Sequence, residues 1–263
     1  MKVILPMIAA IICIIILITG NLHWKDKTKV TSFSKDVEAS TDVSSSKVEK
    51  KKADTPIKDD VSYIKNWPKK AQKAFKHAMK EGKTYKLAIV GSQVMGAEDG
   101  WANQLKNAME ETYGKEHLQV VVFSSDKTSN DFINNGLYEE VANEKPDMVL
   151  FEPFTLNDNG SVSEENNHEN ILTMISAIKK KNDQVDILIQ PSNPIYGAKI
   201  YPQQVDNLKV FAKENDLTYL NHWTVWPDSQ SDAIKKFLDE DGNPNEKGQQ
   251  IWFEYLKEYF IAE

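Results

Sequence analysis

The sequence predicts an α/β protein: a parallel sheet with helices packed on both faces. Two features carry that prediction. The runs "YKLAIVG", "LQVVVFS", "PDMVLFEPF" and "VDILIQPS" are nearly continuous in Val, Ile, Leu and Phe, as strands buried on both faces are, where one-sided strands alternate. Between them lie longer stretches with apolar residues at helical spacing, the crossovers that parallel neighbours need.

The N-terminus comes first. "VILPMIAAIICIIILIT", residues 3–19, carries no charge and follows Lys2. At about 1.5 Å per residue it lies at the short end of bilayer-spanning lengths. Residues 1–23 read as a signal anchor or transmembrane segment, and "LITGNLHW" offers no small-residue cleavage site. Lys25, Lys27 and Lys29 favour a cytoplasmic C-terminal side, whereas a short lead before an early apolar run favours export. We expect a single-pass protein of the cell membrane with its C-terminal domain outside the cytoplasm, or a secreted one if the segment is cleaved. Cys13, the single cysteine, lies inside the apolar run, so no intramolecular disulfide forms. With no CxxC or HExxH spacing, no zinc site is supported.

Residues 24–60 are dominated by Lys, Ser, Thr, Asp and Val, as in "STDVSSSKVEKKKADTP". They have too little apolar surface to offset ordering entropy and are expected to form a disordered tether. In residues 61–83, Ala71, Ala74, Phe75 and Met79 fall on one helical face, with Pro68 near the first turn and Gly82 as the stop. This is a lead-in helix, and His77 among its lysines reads as a surface residue.

Residues 84–263 hold the α/β domain, of ordinary size. "YKLAIVG" is the first strand and "GWANQLKNAMEETYG" an amphipathic helix. "LQVVVFS" is the second strand, followed by the largely helical "TSNDFINNGLYEEVANEK". "PDMVLFEPF" and "NHENILTMISAIKKKN" form the third pair, and "VDILIQPS" and "PQQVDNLKVFAKEND" the fourth. "LTYLNHW" is a fifth strand and "EKGQQIWFEYLKEYFIAE" a closing helix. Ligands of such sheets sit outside the C-terminal strand ends, which directs attention to Ser92, residues 124–129, Asn157 and His222.

Several functions are disfavoured. A net charge of −7 argues against a nucleic-acid partner, which needs clustered cations. "GSQVMG" has neither the GxGxxG of a dinucleotide site nor the GK[ST] of a phosphate loop, and nothing in the chain calls for a cofactor. What "IVGSQVMG" does offer is a hydroxyl, Ser92, just past a strand with backbone N–H groups nearby, as a nucleophile requires. "FEPFTLNDNG" ends a buried run in amides, and Asn157 there is placed to donate a hydrogen bond if the first and third strands are neighbours.

Three blocks in order resemble the SGNH (GDSL) hydrolases, a family of esterases and acyl-transfer enzymes. "KLAIVGSQVMGAEDGWANQLKNAMEETYG" is similar to its first block, "KPDMVLFEPFTLNDNG" to its third and "DEDGNPNEKGQQIW" to its fifth. The resemblance covers residues 84–263 and implies a three-layer α/β/α, flavodoxin-like fold with a five-stranded parallel sheet. It implies Ser92 as nucleophile and Asn157, with the Ser92 backbone N–H, as oxyanion donors. The chain departs from the pattern in three places. The first block lacks its Asp, the oxyanion glycine has no counterpart in "SSDKTSNDF", and the base histidine falls on Asn243 with its acid partner on Glu240. An amide has no useful basicity, so the base must come from elsewhere. His222 is the first candidate, followed by Asp241 or Glu240 with a raised pKa; His168 and His117 read as surface residues, and Asp158 as a cap.

The expected function is therefore an extracytoplasmic serine esterase or O-acetyl transfer enzyme acting on an envelope glycan or another acyl ester. The alternative is a non-catalytic module of the same fold that binds glycan or assists assembly, and a flavin-binding protein is a third reading. Trp101, Trp223, Trp226 and Tyr196 fall near the strand tips, where they either pack or stack on sugar, and "QPSNPIYGAKIYPQQ" is a loop able to wall a pocket.

Overall fold

In the computed structural model, residues 61–96 and 98–262 are described; the expected membrane segment and tether lie outside the described residues. Five strands pair in parallel in the order β2-β1-β3-β4-β5. They are β1 (Tyr85–Ser92), β2 (Leu118–Ser125), β3 (Met148–Phe151), β4 (Asp186–Ile189) and β5 (Thr218–Tyr219). The first and third strands are neighbours, as the sequence led us to expect. Val90 stands opposite Phe123 and Phe151, Phe151 opposite Ile189, and Ile189 opposite Tyr219. This register brings the C-terminal tips to one edge.

Because side chains alternate across a strand, the sheet sends Leu87, Ile89, Leu150 and Leu188 into one core and Ala88, Val90, Phe151 and Ile189 into another. The first core is closed by α1 (Lys69–Lys80), α2 (Trp101–Tyr113) and the last helix, α8 (Glu246–Phe260). The second is closed by α3 (Ser129–Asn134), α4 (Leu137–Asn143), α6 (Glu164–Lys181) and α7 (Tyr201–Glu214), with the short α5 (Thr155–Asp158) leading into α6. The result is the three-layer α/β/α arrangement. Among the described residues, no helix is long and apolar enough to cross a membrane.

Two strands end sooner than their apolar runs. After β3 the Glu152 N–H still donates to Val90 O at 2.8 Å, but Pro153 has no N–H to offer and Phe154 turns to φ 60°. After β5 the Leu220 N–H reaches Ile189 O at 2.8 Å, and a 3-10 turn then begins at His222. Ile64, Trp67, Ala71 and Phe75 are buried in the first core, so the segment before the sheet belongs to the packed body. It is strapped to the end of the chain. Trp67 Nε1 donates to Phe260 O at 3.0 Å, and the Ala262 N–H to Tyr63 O at 2.9 Å.

Candidate active site

The C-terminal edge of the sheet carries a set of buried polar groups. Ser92 closes β1 and is 1% exposed; Glu152 and Gln190, next after β3 and β4, are fully buried. By strand alternation Glu152 and Gln190 lie on the α2/α8 face, side by side on adjacent strands about 4.8 Å apart. Farther along, Ser192, Asn193 and His222 are also fully buried. Several of these groups lack a hydrogen-bond partner within the protein: Ser92 Oγ, Glu152 Oε1, Gln190 Nε2 and the Tyr201 hydroxyl. Buried polar atoms are normally paired, and such a concentration at the ligand edge of a parallel sheet marks a site.

Ser92 and Glu152 form its centre. The Ser92 N–H donates to Glu152 Oε2 at 2.7 Å. The Ser92 hydroxyl, on the residue this carboxyl holds, makes no hydrogen bond of its own. Gly91 makes the approach feasible. A Cβ there would stand 2.8 Å from Glu152 Cβ and 2.9 Å from Oε2, so the glycine leaves the space the carboxylate side chain fills. Burial pushes the Glu152 pKa up, and the hydrogen bond from the Ser92 N–H opposes that shift. Two other features hold the neighbourhood. Gln190 Oε1 accepts from Trp252 Nε1 at 3.0 Å, and Trp252 stacks on Trp101 with centroids 4.9 Å apart.

The residues singled out from sequence fare differently. Ser92 occupies the strand tip, but its N–H is committed to Glu152 and is not free for an oxyanion while that carboxylate stays in place. Asn157 lies on α5, half-buried, with Nδ2 donating to Lys127 O at 2.9 Å; no hydrogen bond joins it to Ser92. Its neighbour Asp158 anchors the turn, accepting from Ser129 N–H at 2.7 Å and from Ser129 Oγ and Asn167 Nδ2 at 2.5 and 2.7 Å. Asp158 is thus a cap, as its position led us to expect.

His222 requires a correction. Its Nε2 lies 2.9 Å from Pro191 O, an acceptor, so Nε2 carries the hydrogen. Its Nδ1 accepts from Trp226 Nε1 at 3.0 Å, and the ring stacks on Trp252 at 4.0 Å and 7°. Both nitrogens are occupied and no lone pair is left for a serine proton. Burial lowers its pKa to about 3. His222 is a neutral core imidazole in this arrangement, not a poised base. The other histidines stand no closer to the role. His168 stacks on Phe211 at 4.2 Å. His117 lies before β2 at the opposite edge, and His77 lines a cleft of about 630 Å³ there with Lys70, Lys73 and Lys83. Asn243 is exposed in a turn whose N–H donates to Asp239 Oδ1 at 2.8 Å, and Glu240 and Asp241 are exposed beside it. Of the aromatics, Trp101 and Trp226 are buried, Trp223 donates to Ser192 O at 2.7 Å, and Tyr196 is exposed. Among the described residues no group of His, Cys, Asp and Glu could hold a metal ion.

Glu152 and Gln190 escaped the sequence reading. The signal was present: a carboxylate inside "VLFEPF" and an amide closing "DILIQ" are anomalous in fully buried strands, where charges are rare unless paired.

No family model matches the sequence, and no curated protein matches it. Solved structures do match in fold. A protein of the G-D-S-L family from Desulfitobacterium hafniense, described as lipolytic, is 19% identical with a TM-score of 0.53, covering 67% of this chain and 99% of its own. An acetylxylan esterase from Geobacillus stearothermophilus is 15% identical with a TM-score of 0.55, covering 69% and 96%. A carbohydrate esterase family 3 protein from Talaromyces cellulolyticus is 15% identical with a TM-score of 0.53, covering 66% and 95%. Each is matched over nearly its whole length, and the α/β/α fold of this chain is the one these three proteins share.

Proposed function

We propose that the protein is an SGNH-type ester hydrolase in which Ser92 attacks an acyl carbonyl. The observation that carries this reading is the unpartnered, buried Ser92 hydroxyl beside a buried carboxyl at the ligand edge of a fold shared with esterases. A hydroxyl held out of water and without a partner is available to react, and groups of shifted pKa gather at functional sites. Asn157 stands at the same edge, and Lys127 takes only one of its two amide hydrogens. The second is the proposed donor to an oxyanion, a role worth about 3 kcal/mol where it has been removed in other enzymes. The acylated-sugar esterases among the structural neighbours support an acetylated glycan or related acyl ester as substrate. The apolar run at residues 3–19 supports membrane tethering, with the domain outside the cytoplasm.

The test is hydrolysis of a chromogenic acetyl ester by the purified protein and its Ser92→Ala variant. Loss of activity in the variant is expected; equal activity in both would remove the reading.

A second reading, a non-catalytic glycan-binding or assembly module, is favoured by specific observations: Asn243 in the histidine slot, the fully engaged His222, and the depth of Ser92. It predicts that the wild-type protein is inert toward acyl esters and toward a fluorophosphonate probe, yet retains affinity for a glycan.

A further inference from the structure

We infer that Glu152 is the proton acceptor for Ser92, so that the serine works with a buried carboxylate where the family it resembles uses an imidazole. The inference rests on reading Ser92 as the nucleophile. It follows from what surrounds the hydroxyl. Among the described residues His77 and His117 lie away from the C-terminal edge, His168 is stacked on Phe211, and His222 has both nitrogens engaged. Glu240 and Asp241 are in an exposed turn. Glu152 is the ionisable group whose carboxyl is hydrogen-bonded to Ser92, through the backbone N–H at 2.7 Å, and both its Oε1 and the Ser92 Oγ are buried without a partner.

The division of labour within that carboxyl is specific. Oε2 takes the Ser92 N–H at 2.7 Å, which fixes the side chain. Oε1 has no partner, so lone pairs remain on the group. Gly91 lets the side chain lie flat over β1, since any Cβ at that position would collide with it. An ordinary carboxylate is a weak base for an alcohol, but desolvation raises its pKa and its proton affinity toward the range general bases use.

The steps balance. Oγ bonds to the acyl carbon as its proton passes to Glu152, and the carbonyl π pair moves to oxygen. When the tetrahedral centre collapses, the bond to the leaving alkoxide breaks and Glu152 returns the proton to it. Water then repeats the sequence on the acyl-serine: its proton passes to Glu152, its oxygen bonds to carbon, and Ser92 departs reprotonated with release of the carboxylic acid.

Both groups are sealed from solvent, at 1% and 0% exposure, so catalysis includes an opening step. The loop that follows Ser92 is pinned to α8 by Gln249, whose Nε2 donates to Val94 O at 3.0 Å and whose Oε1 accepts from the Trp101 N–H at 2.9 Å.

The experiment uses the full-length protein with p-nitrophenyl acetate and a fluorophosphonate probe. Glu152→Gln keeps the size of the side chain and an oxygen for the Ser92 N–H, and removes the basicity. We expect kcat to fall about 10²–10⁴-fold with KM little changed, and phosphonylation of Ser92 to slow in parallel. The wild-type kcat/KM should show an acid limb that the variant lacks. Glu152→Asp, which retains a carboxylate on a shorter arm, should recover part of the rate. If Ser92→Ala is dead while Glu152→Gln keeps wild-type rates and the acid limb, this inference fails and the nucleophile assignment survives. If Ser92→Ala remains active, or the probe never labels Ser92, the nucleophile assignment fails and takes this inference with it. Should Glu152→Gln not fold, the wild-type profile still decides: rates flat from neutral pH to below pH 4 would overturn the proposal.

Discussion

His222 offers a quantitative test, because its burial ties protonation to unfolding. The native ring is neutral, with Nε2–H bound to Pro191 O and Nδ1 filled by the Trp226 N–H. Protonating Nδ1 would set two donors against each other in a site without solvent. The folded pKa is about 3 against an ordinary 6.5, so the unfolded chain takes up the proton first as pH falls. Stability from this group is complete above pH 6.5 and erodes down to about pH 3. The full difference is on the order of 5 kcal/mol, with a slope near 1.4 kcal/mol per pH unit. Urea unfolding between pH 7 and pH 4.5 measures it, with His222→Gln as the comparison. The variant loses stability at every pH because Pro191 O and the Trp226 N–H lose their partner, but that changes the intercept. The slope is the diagnostic, since the carboxylates with raised pKa, Glu152 and Asp186 among them, act equally in both proteins. Wild type should fall more steeply than the variant by about 1.4 kcal/mol per pH unit near pH 5. Parallel curves would refute the assignment of a sealed, neutral imidazole.

Three further outcomes are expected. Glu152→Gln should raise the melting temperature at pH 7: the folded pKa lies above the unfolded one, so the ionised carboxylate opposes folding at neutral pH, and calorimetry showing a lower value would contradict it. Gly91→Ala places a methyl group 2.8 Å from Glu152 Cβ and should lose about 1–3 kcal/mol by overpacking, as read by chemical denaturation. Gln249→Ala removes both ties to the loop after Ser92 and should speed hydrogen exchange at the Trp101 amide, whose acceptor it deletes; unchanged exchange there would show that another contact holds the loop.

How far the sequence could be read follows from which contacts are local. Continuous apolar runs and helical spacing report on burial by position alone, so the strand order of events along the chain, the sheet's parallel sense and the α/β/α layering were all legible. The first tip was legible too, since Ser92 closes β1, whereas β3 and β5 stop short of their apolar runs and leave Asn157 on a helix and His222 in a 3-10 turn. What a tip residue touches depends on the strands beside it. Glu152 is three residues before Thr155 in sequence, yet its meaning comes from Gly91 and Ser92 on another strand. His222 shows the same limit from the other side. An imidazole after the last strand reads as a base until the Trp226 indole, one helical turn on, is seen filling its lone pair. At "LNDN" the expected amide turned out to face Lys127, while the adjacent Asp158 ties α3 to α6 through Ser129 and Asn167.

The strap between Trp67 and Phe260, and between Tyr63 and Ala262, makes the beginning and end of the packed body neighbours. Each of these hydrogen bonds closes over nearly two hundred residues, so the first core is completed by contacts that no local segment can make alone. Joined ends also make the fold a natural candidate for circular permutation: a short peptide could bridge Ala262 to Val61, with new termini opened in a surface turn such as the one at Gly160.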